Sequence, residues 1–188
     1  MVETSLLPAH PPYLLQLHIE LRGITPKVWR RFVVPENITL GKLHDAIRIV
    51  MEWGYCEHEF EIAGKHYGRG YGRMTVKSQA CKTLVNALNG SWAFSYFYDV
   101  GGSWHHQIIV EKKLSGTAFP HMPYCIEGAN ASPPEGLIGA QGYRRFLEAM
   151  ANPRHPEHLA MVKFYGCVFV PSAFWCGSVN QELKRMRD

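Results

Sequence analysis

The chain has 188 residues, 46% of them hydrophobic and 19% charged, which excludes disorder and sets the expectation of a globular protein with a proper core. Lys and Arg number 20 against 16 Asp and Glu, an excess too small to announce a nucleic-acid footprint by itself. No apolar run approaches the roughly 20 residues that cross a bilayer. The start MVETSLLPAHPPY lacks the basic-then-apolar order of a signal peptide, and five irregularly spaced cysteines do not make a disulfide framework, so a cytoplasmic protein with reduced thiols is expected.

Residues 1–12, with the Pro-rich PAHPP, read as an N-terminal tail, and residues 13–188 as a single domain. LLQLHIELRG alternates apolar and polar residues as a half-buried strand does. KVWRRFVVP is a second extended segment, stopping at Pro35, whose missing donor suits a strand end. With the turn at Gly23 to Pro26 the two predict a hairpin. TLGKLHDAIRIVMEWG then spaces Leu40, Leu43, Ile47, Val50 and Met51 three or four apart, with Thr39 placed to cap the first turn and Gly54 to end the last. This predicts a long helix. EHEFEIAGKHYG reads as a strand turning at Ala63-Gly64, with His58, Phe60 and Ile62 on one face.

CKTLVNALNG predicts a short helix closed by Asn89-Gly90, and SWAFSYFYD and SWHHQIIVEKKL two strands joined by a glycine turn. From Ser115 to Gly139 Pro, Gly, Ser and Asn break every pattern, giving a long connection. AQGYRRFLEAM, PEHLAMVKFYG and SVNQELKRMRD predict three C-terminal helices. The fold class that follows is α+β: a mixed twisted sheet with one long helix across it, β-grasp-like in layout, over residues 13–114, and a helical part over 140–188.

The phrases GITPKVWRRFVVP, TLGKLHDAI, YDVGGSWHH, SPPEG, GYRRFLEAM and HPEH, in this order from about Leu14 to Leu183, resemble the signatures of the plasmid Ri open-reading-frame-three-like family. That resemblance implies association with mobile DNA, through the resolvase-like label its members carry, and no particular reaction. This chain departs from the family at Gly102, where a second acid is usual, and at Ser132, Gly136 and Leu137, where a cysteine, an acid and often a cysteine stand. Cys56-x-His58-x-Phe60 stands in place of His-x-His-x-Phe.

Cys56 and His58, two apart on a strand, share a face, and His106 shares one with Trp104 and Ile108 while His105 points the other way. Together with Cys125 they offer two thiols and two imidazoles, a ligand set that would suit zinc if the strands were neighbours. The bland alternative makes His106 a satisfied core histidine and the cysteines small hydrophobes. HPEH is not HExxH, and Glu157 suits a helix N-terminus. Phosphate-loop, dinucleotide and nucleophile-elbow motifs are all missing, and no serine has the arginine setting of a recombinase.

Cations gather on the first hairpin as Arg22, Lys27, Arg30 and Arg31 and on the glycine loop as Arg69 and Arg73, with Trp29, Tyr67 and Tyr71 nearby to stack on bases. The sequence therefore points to a non-catalytic module that binds nucleic acid or a protein partner. The competing reading is a metal-dependent hydrolase or nuclease using Asp99, His106 and the Cys/His ligands.

Overall fold

The computed structural model describes residues 13–68, 81–99, 104–115 and 119–186. The tail 1–12, the loop residues Arg69, Tyr71 and Arg73, and the glycine pair Gly101-Gly102 lie outside the described residues.

Strands β1 (Leu14–Leu21) and β2 (Trp29–Pro35) form the expected antiparallel hairpin, with Leu17 opposite Phe32 and Ile19 opposite Arg30. Leu15, Leu17, Ile19 and Leu21 face inward at the two-residue period of a strand, leaving Gln16, His18 and Glu20 on the other face. Helix α1 (Leu40–Val50) buries Leu40, Leu43, Ala46, Ile47 and Val50, and the Lys42 amide donates to the Thr39 hydroxyl at 3.3 Å. The helix ends earlier than its glycine suggests. Glu52 takes the left-handed conformation at φ +56° and the Trp53 amide closes on the Arg48 carbonyl at 2.8 Å, before Gly54 is reached.

Strands β3 (His58–Ile62) and β4 (Lys65–Gly68) turn through Ala63 and Gly64, both at positive φ, as a tight hairpin requires. Helix α2 (Leu84–Leu88) closes on Asn89 at φ +47°. Strands β5 (Ala93–Tyr98) and β6 (Trp104–Leu114) pair with Tyr98 opposite Trp104, the expected second hairpin.

A seventh strand, β7 (Tyr124–Ala129), lies inside the segment expected to be an irregular connection. Its sequence YCIEGA has no clean alternation; it is ordered by pairing with β2, Cys125 opposite Phe32 and Gly128 opposite Arg30. The sheet order is β4-β3-β5-β6-β1-β2-β7, and every described pair is antiparallel. This corrects the mixed sheet expected from the element order: α1 leads to β3, which pairs with β5 and not with the first hairpin, so no parallel β-grasp pair arises.

The C-terminal part is helical as expected: α3 (Gly139–Ala151), α4 (His158–Tyr165) and α5 (Cys176–Leu183). Tyr143 and Phe146 of α3 join Phe169 in a nest of edge-to-face rings. The Asn180 amide of α5 bridges both backbone polar groups of Cys125 on β7, at 2.8 and 2.9 Å. One apolar cluster therefore runs from Leu15 and Leu17 of the sheet through α1 to Val179 and Leu183 of α5.

Candidate functional site

Histidines and aromatic rings from α1 and the residues just after it meet those of β3, β5 and β6 on the inner face. The His44 and His58 rings stack with centroids 3.4 Å apart and planes 6° from parallel. The Tyr96 hydroxyl shares a 2.8 Å hydrogen bond with His44 Nδ1. Trp53, just past α1, stacks on Tyr98 at 4.9 Å, and its indole N–H points to His106 Nε2 at 3.4 Å. The other ring nitrogen of His106 lies 3.3 Å from the Tyr96 carbonyl, so Nδ1 donates and Nε2 accepts: a neutral imidazole with both positions used. Burial pushes His106 down to about 3, and burial followed by the neighbouring His58 pushes His44 down to about 3. His106 is thus a satisfied core histidine. His105 faces the other way as expected, half-buried with its ring 4.7 Å from Phe97.

The four candidate zinc ligands do not converge. Four strands stand between β3, which carries His58, and β7, which carries Cys125, a separation of about 24 Å at the usual strand spacing. Cys56 is exposed, and its thiol is raised by desolvation and then by the Asp99 carboxylate. Among the described residues no group of three His, Cys, Asp or Glu side chains is arranged to hold a metal ion. The acid of the competing hydrolase reading, Asp99, is likewise absent from the partners of His106.

The hairpin cations do not form one open surface either. Arg30 is fully buried and points inward, donating to the carbonyls of Val50, Trp29 and Ala129 at 2.8 to 2.9 Å and to the Ser132 hydroxyl at 3.1 Å. Burial lowers its guanidinium to about 10, and Glu52, 3.8 Å away, pulls the other way. Arg31, on the outer face, grips Glu111 at 2.6 and 2.8 Å and pairs with Glu127. Lys27 pairs with Glu20 at 3.0 Å. Arg22 is exposed. A phosphate would therefore compete with carboxylates already in place at Lys27 and Arg31, and could not reach Arg30.

Sequence reading missed Trp53, Glu52 and Glu135, which mark where the signature segments meet. Glu135, from SPPEG, accepts the Gly54 amide at 2.6 Å and the Tyr98 hydroxyl at 2.9 Å, tying the long connection to the ends of α1 and β5. Beside this tie opens a cleft of about 640 Å³, walled by Ser132 to Glu135 on one side and by residues 168–175 on the other. Its lining joins the rings of Tyr165, Phe169, Phe174 and Trp175 with the carboxylates of Glu52 and Glu135. Trp175 is 79% exposed and Val168 83% exposed, unusual positions for large apolar groups. Glu157, in HPEH, stands at the N-cap of α4 and not in its first turn as expected; its side chain makes no capping hydrogen bond, and its carboxylate pairs with Arg145 of α3.

Fold and cleft define an α+β protein with a seven-stranded antiparallel sheet, a histidine-rich aromatic core and an open acidic-aromatic groove. No helix among the described residues is long and apolar enough to cross a membrane. The chain belongs to the plasmid pRiA4b ORF-3-like protein family, which it matches over residues 13–177. It is 30% identical over 176 residues to the uncharacterized protein y4hQ of Sinorhizobium fredii, spanning 90% of this chain and 84% of that one. It is also similar to the crystal structure of a protein of unknown function, MM3350, from Methanosarcina mazei Go1, with a TM-score of 0.79 and 32% identity over 88% of this chain and 96% of that chain.

Proposed function

We propose that the protein is a non-catalytic binding module whose cleft takes a short, extended, basic segment of a partner protein. The observation that carries this reading is the composition of the 640 Å³ cleft: carboxylates at Glu52 and Glu135 set among the exposed rings of Trp175 and Tyr165 and the half-buried ring of Phe174. Carboxylates attract a lysine or arginine head group, and aromatic faces hold it by cation–π contact while covering its aliphatic stem. Arg30 stacks on the Phe174 ring at 3.7 Å, so the same residue type is accommodated by an aromatic of the cleft wall within the fold itself.

A nucleic-acid reading finds less support. Acidic groups line the cleft, and three of the four hairpin cations, Lys27, Arg30 and Arg31, are paired with carboxylates.

The test is a peptide array of basic, acidic and neutral sequences probed with the full chain, followed by titration of the best binders. Selection of Lys- or Arg-bearing peptides, weakened roughly tenfold or about 1.4 kcal/mol by Trp175→Ala and by Glu52→Gln, supports the reading. Selection of acidic peptides overturns it, as does salt-sensitive binding of oligonucleotides that ignores both substitutions.

A further inference from the structure

The C-terminal helix holds a feature that the cleft does not use. Cys125 of β7 and Cys176, the first residue of α5, place their sulfurs 4.0 Å apart, with the Glu127 carbonyl also in reach of the Cys125 thiol at 3.8 Å. The remaining cysteines, Cys56, Cys81 and Cys167, are exposed and belong to other elements or loops. The facing of the two thiols is imposed by the backbone. Asn180, one turn further along α5, accepts the Cys125 amide and donates to the Cys125 carbonyl, which fixes helix and strand against each other beside the pair. A disulfide needs its sulfurs about 2.0 Å apart, so the two sulfurs must close by about 2 Å from their 4.0 Å separation.

We infer that Cys125 and Cys176 are a reversible dithiol–disulfide pair, a modification site that reacts with small soluble disulfides of the glutathione class. The two cysteines differ in a way that sets the order of events. Cys176 is partly exposed beside the cleft-lining Trp175 and Ser178, and solvent-borne reagents reach it first. Cys125 is buried, and burial followed by the neighbouring Cys176 pushes its thiol up, so it stays protonated and does not react first. The Cys176 thiolate attacks the small disulfide, forming a mixed disulfide and releasing one small thiolate. Cys125 then gives up its proton beside Cys176, and its thiolate attacks Cys176 Sγ, displacing the second small thiolate, which takes up a proton in turn. Two protein thiols are oxidised and one small disulfide is reduced to two thiols.

Trp175, which lines the cleft, directly precedes Cys176 at the start of α5. The inference itself rests on the sulfur geometry and stands whether or not the cleft binds a basic segment.

The experiment exposes the full chain to oxidised glutathione, blocks remaining thiols with an alkylating agent, and maps each cysteine by peptide mass spectrometry. The expected result is joint loss of the Cys125 and Cys176 thiols in one linked peptide, reversed by reduced glutathione. Cys125→Ser should leave Cys176 arrested as a stable glutathione adduct, and Cys176→Ser should leave Cys125 unreacted. Because Cys176→Ser alters a half-exposed residue at a helix start, it keeps the test valid if Cys125→Ser fails to fold. A persistent glutathione adduct on Cys176 in the unaltered protein, linkage to Cys56, Cys81 or Cys167 in its place, or no reaction at either sulfur overturns the inference.

Discussion

The imidazole rings of His44 and His58 lie face to face, 3.4 Å between centroids, although one comes from α1 and the other from β3. Two stacked, buried rings cannot both carry charge without strong repulsion. The fold therefore depends on neutral histidine, at His44 and again at His106.

That dependence has a direction. Both His44 and His106 are lowered from 6.5 to about 3 in the folded chain, so between those values the unfolded state binds protons that the folded state refuses. Their contribution is fully present above about pH 6.5 and is lost as pH falls from there toward 3, at up to about 1.4 kcal/mol per pH unit for each group. Glu111, held low by Arg31, titrates below its usual 4.5 and leaves the interval above pH 5 to the histidines. Urea midpoints should drop between pH 7 and pH 5, and His106→Gln should flatten that drop. An unchanged midpoint would remove the argument.

Arg30 is the second internal dependence. It supplies donors to three carbonyls on β2, β7 and the end of α1, and no other residue type spans that set. Arg30→Met should cost about 3 kcal/mol or more, because buried carbonyls lose their donors. Arg30→Lys should recover only part of this, since one ammonium replaces a planar fork. Urea denaturation of both variants checks the ranking.

The reasons some of this was legible in the sequence, and some not, are physical. The three-and-four spacing of Leu40, Leu43, Ile47 and Val50 encodes α1 locally, and the two-residue period separates His106 from His105. The same period puts Arg30 in step with the buried Val28, Phe32 and Val34, so its inward direction was readable once charge was set aside. Strand β7 was not readable, because YCIEGA is ordered by pairing with a strand distant in sequence. The cleft was not either: Glu52, Glu135 and Trp175 come from three separate segments, and no local pattern announces their meeting.

Gly128 shows how tightly β7 is fitted. A Cβ there would stand 2.6 Å from the Phe174 ring, 2.7 Å from Arg30 Cδ and 2.7 Å from the Trp29 carbonyl oxygen. Phe174 can rotate, but the Trp29 carbonyl belongs to the paired strand and cannot. Gly128→Ala should destabilise by about 2 kcal/mol through overpacking. Thermal unfolding measures it, and a control at Gly64→Ala, where nothing lies within 4 Å but φ is +69°, isolates the smaller cost of backbone strain, about 1 kcal/mol.

Glu135 separates stability from binding. Its Oε1 accepts both the Gly54 amide and the Tyr98 hydroxyl, and an amide side chain keeps one oxygen able to do the same. Glu135→Gln should therefore hold stability within about 0.5 kcal/mol, whereas Glu135→Ala, which orphans both donors, should cost about 1 to 2 kcal/mol. The charge is a different matter, since Gln removes half of the cleft's acidic pair while leaving its shape in place. Basic peptides should bind Glu135→Gln more weakly, by roughly tenfold or about 1.4 kcal/mol, on a protein that melts as the unaltered chain does. Equal affinity in Glu135→Gln would mean that the carboxylate serves the tie between α1, β5 and the long connection and that the ligand does not read its charge.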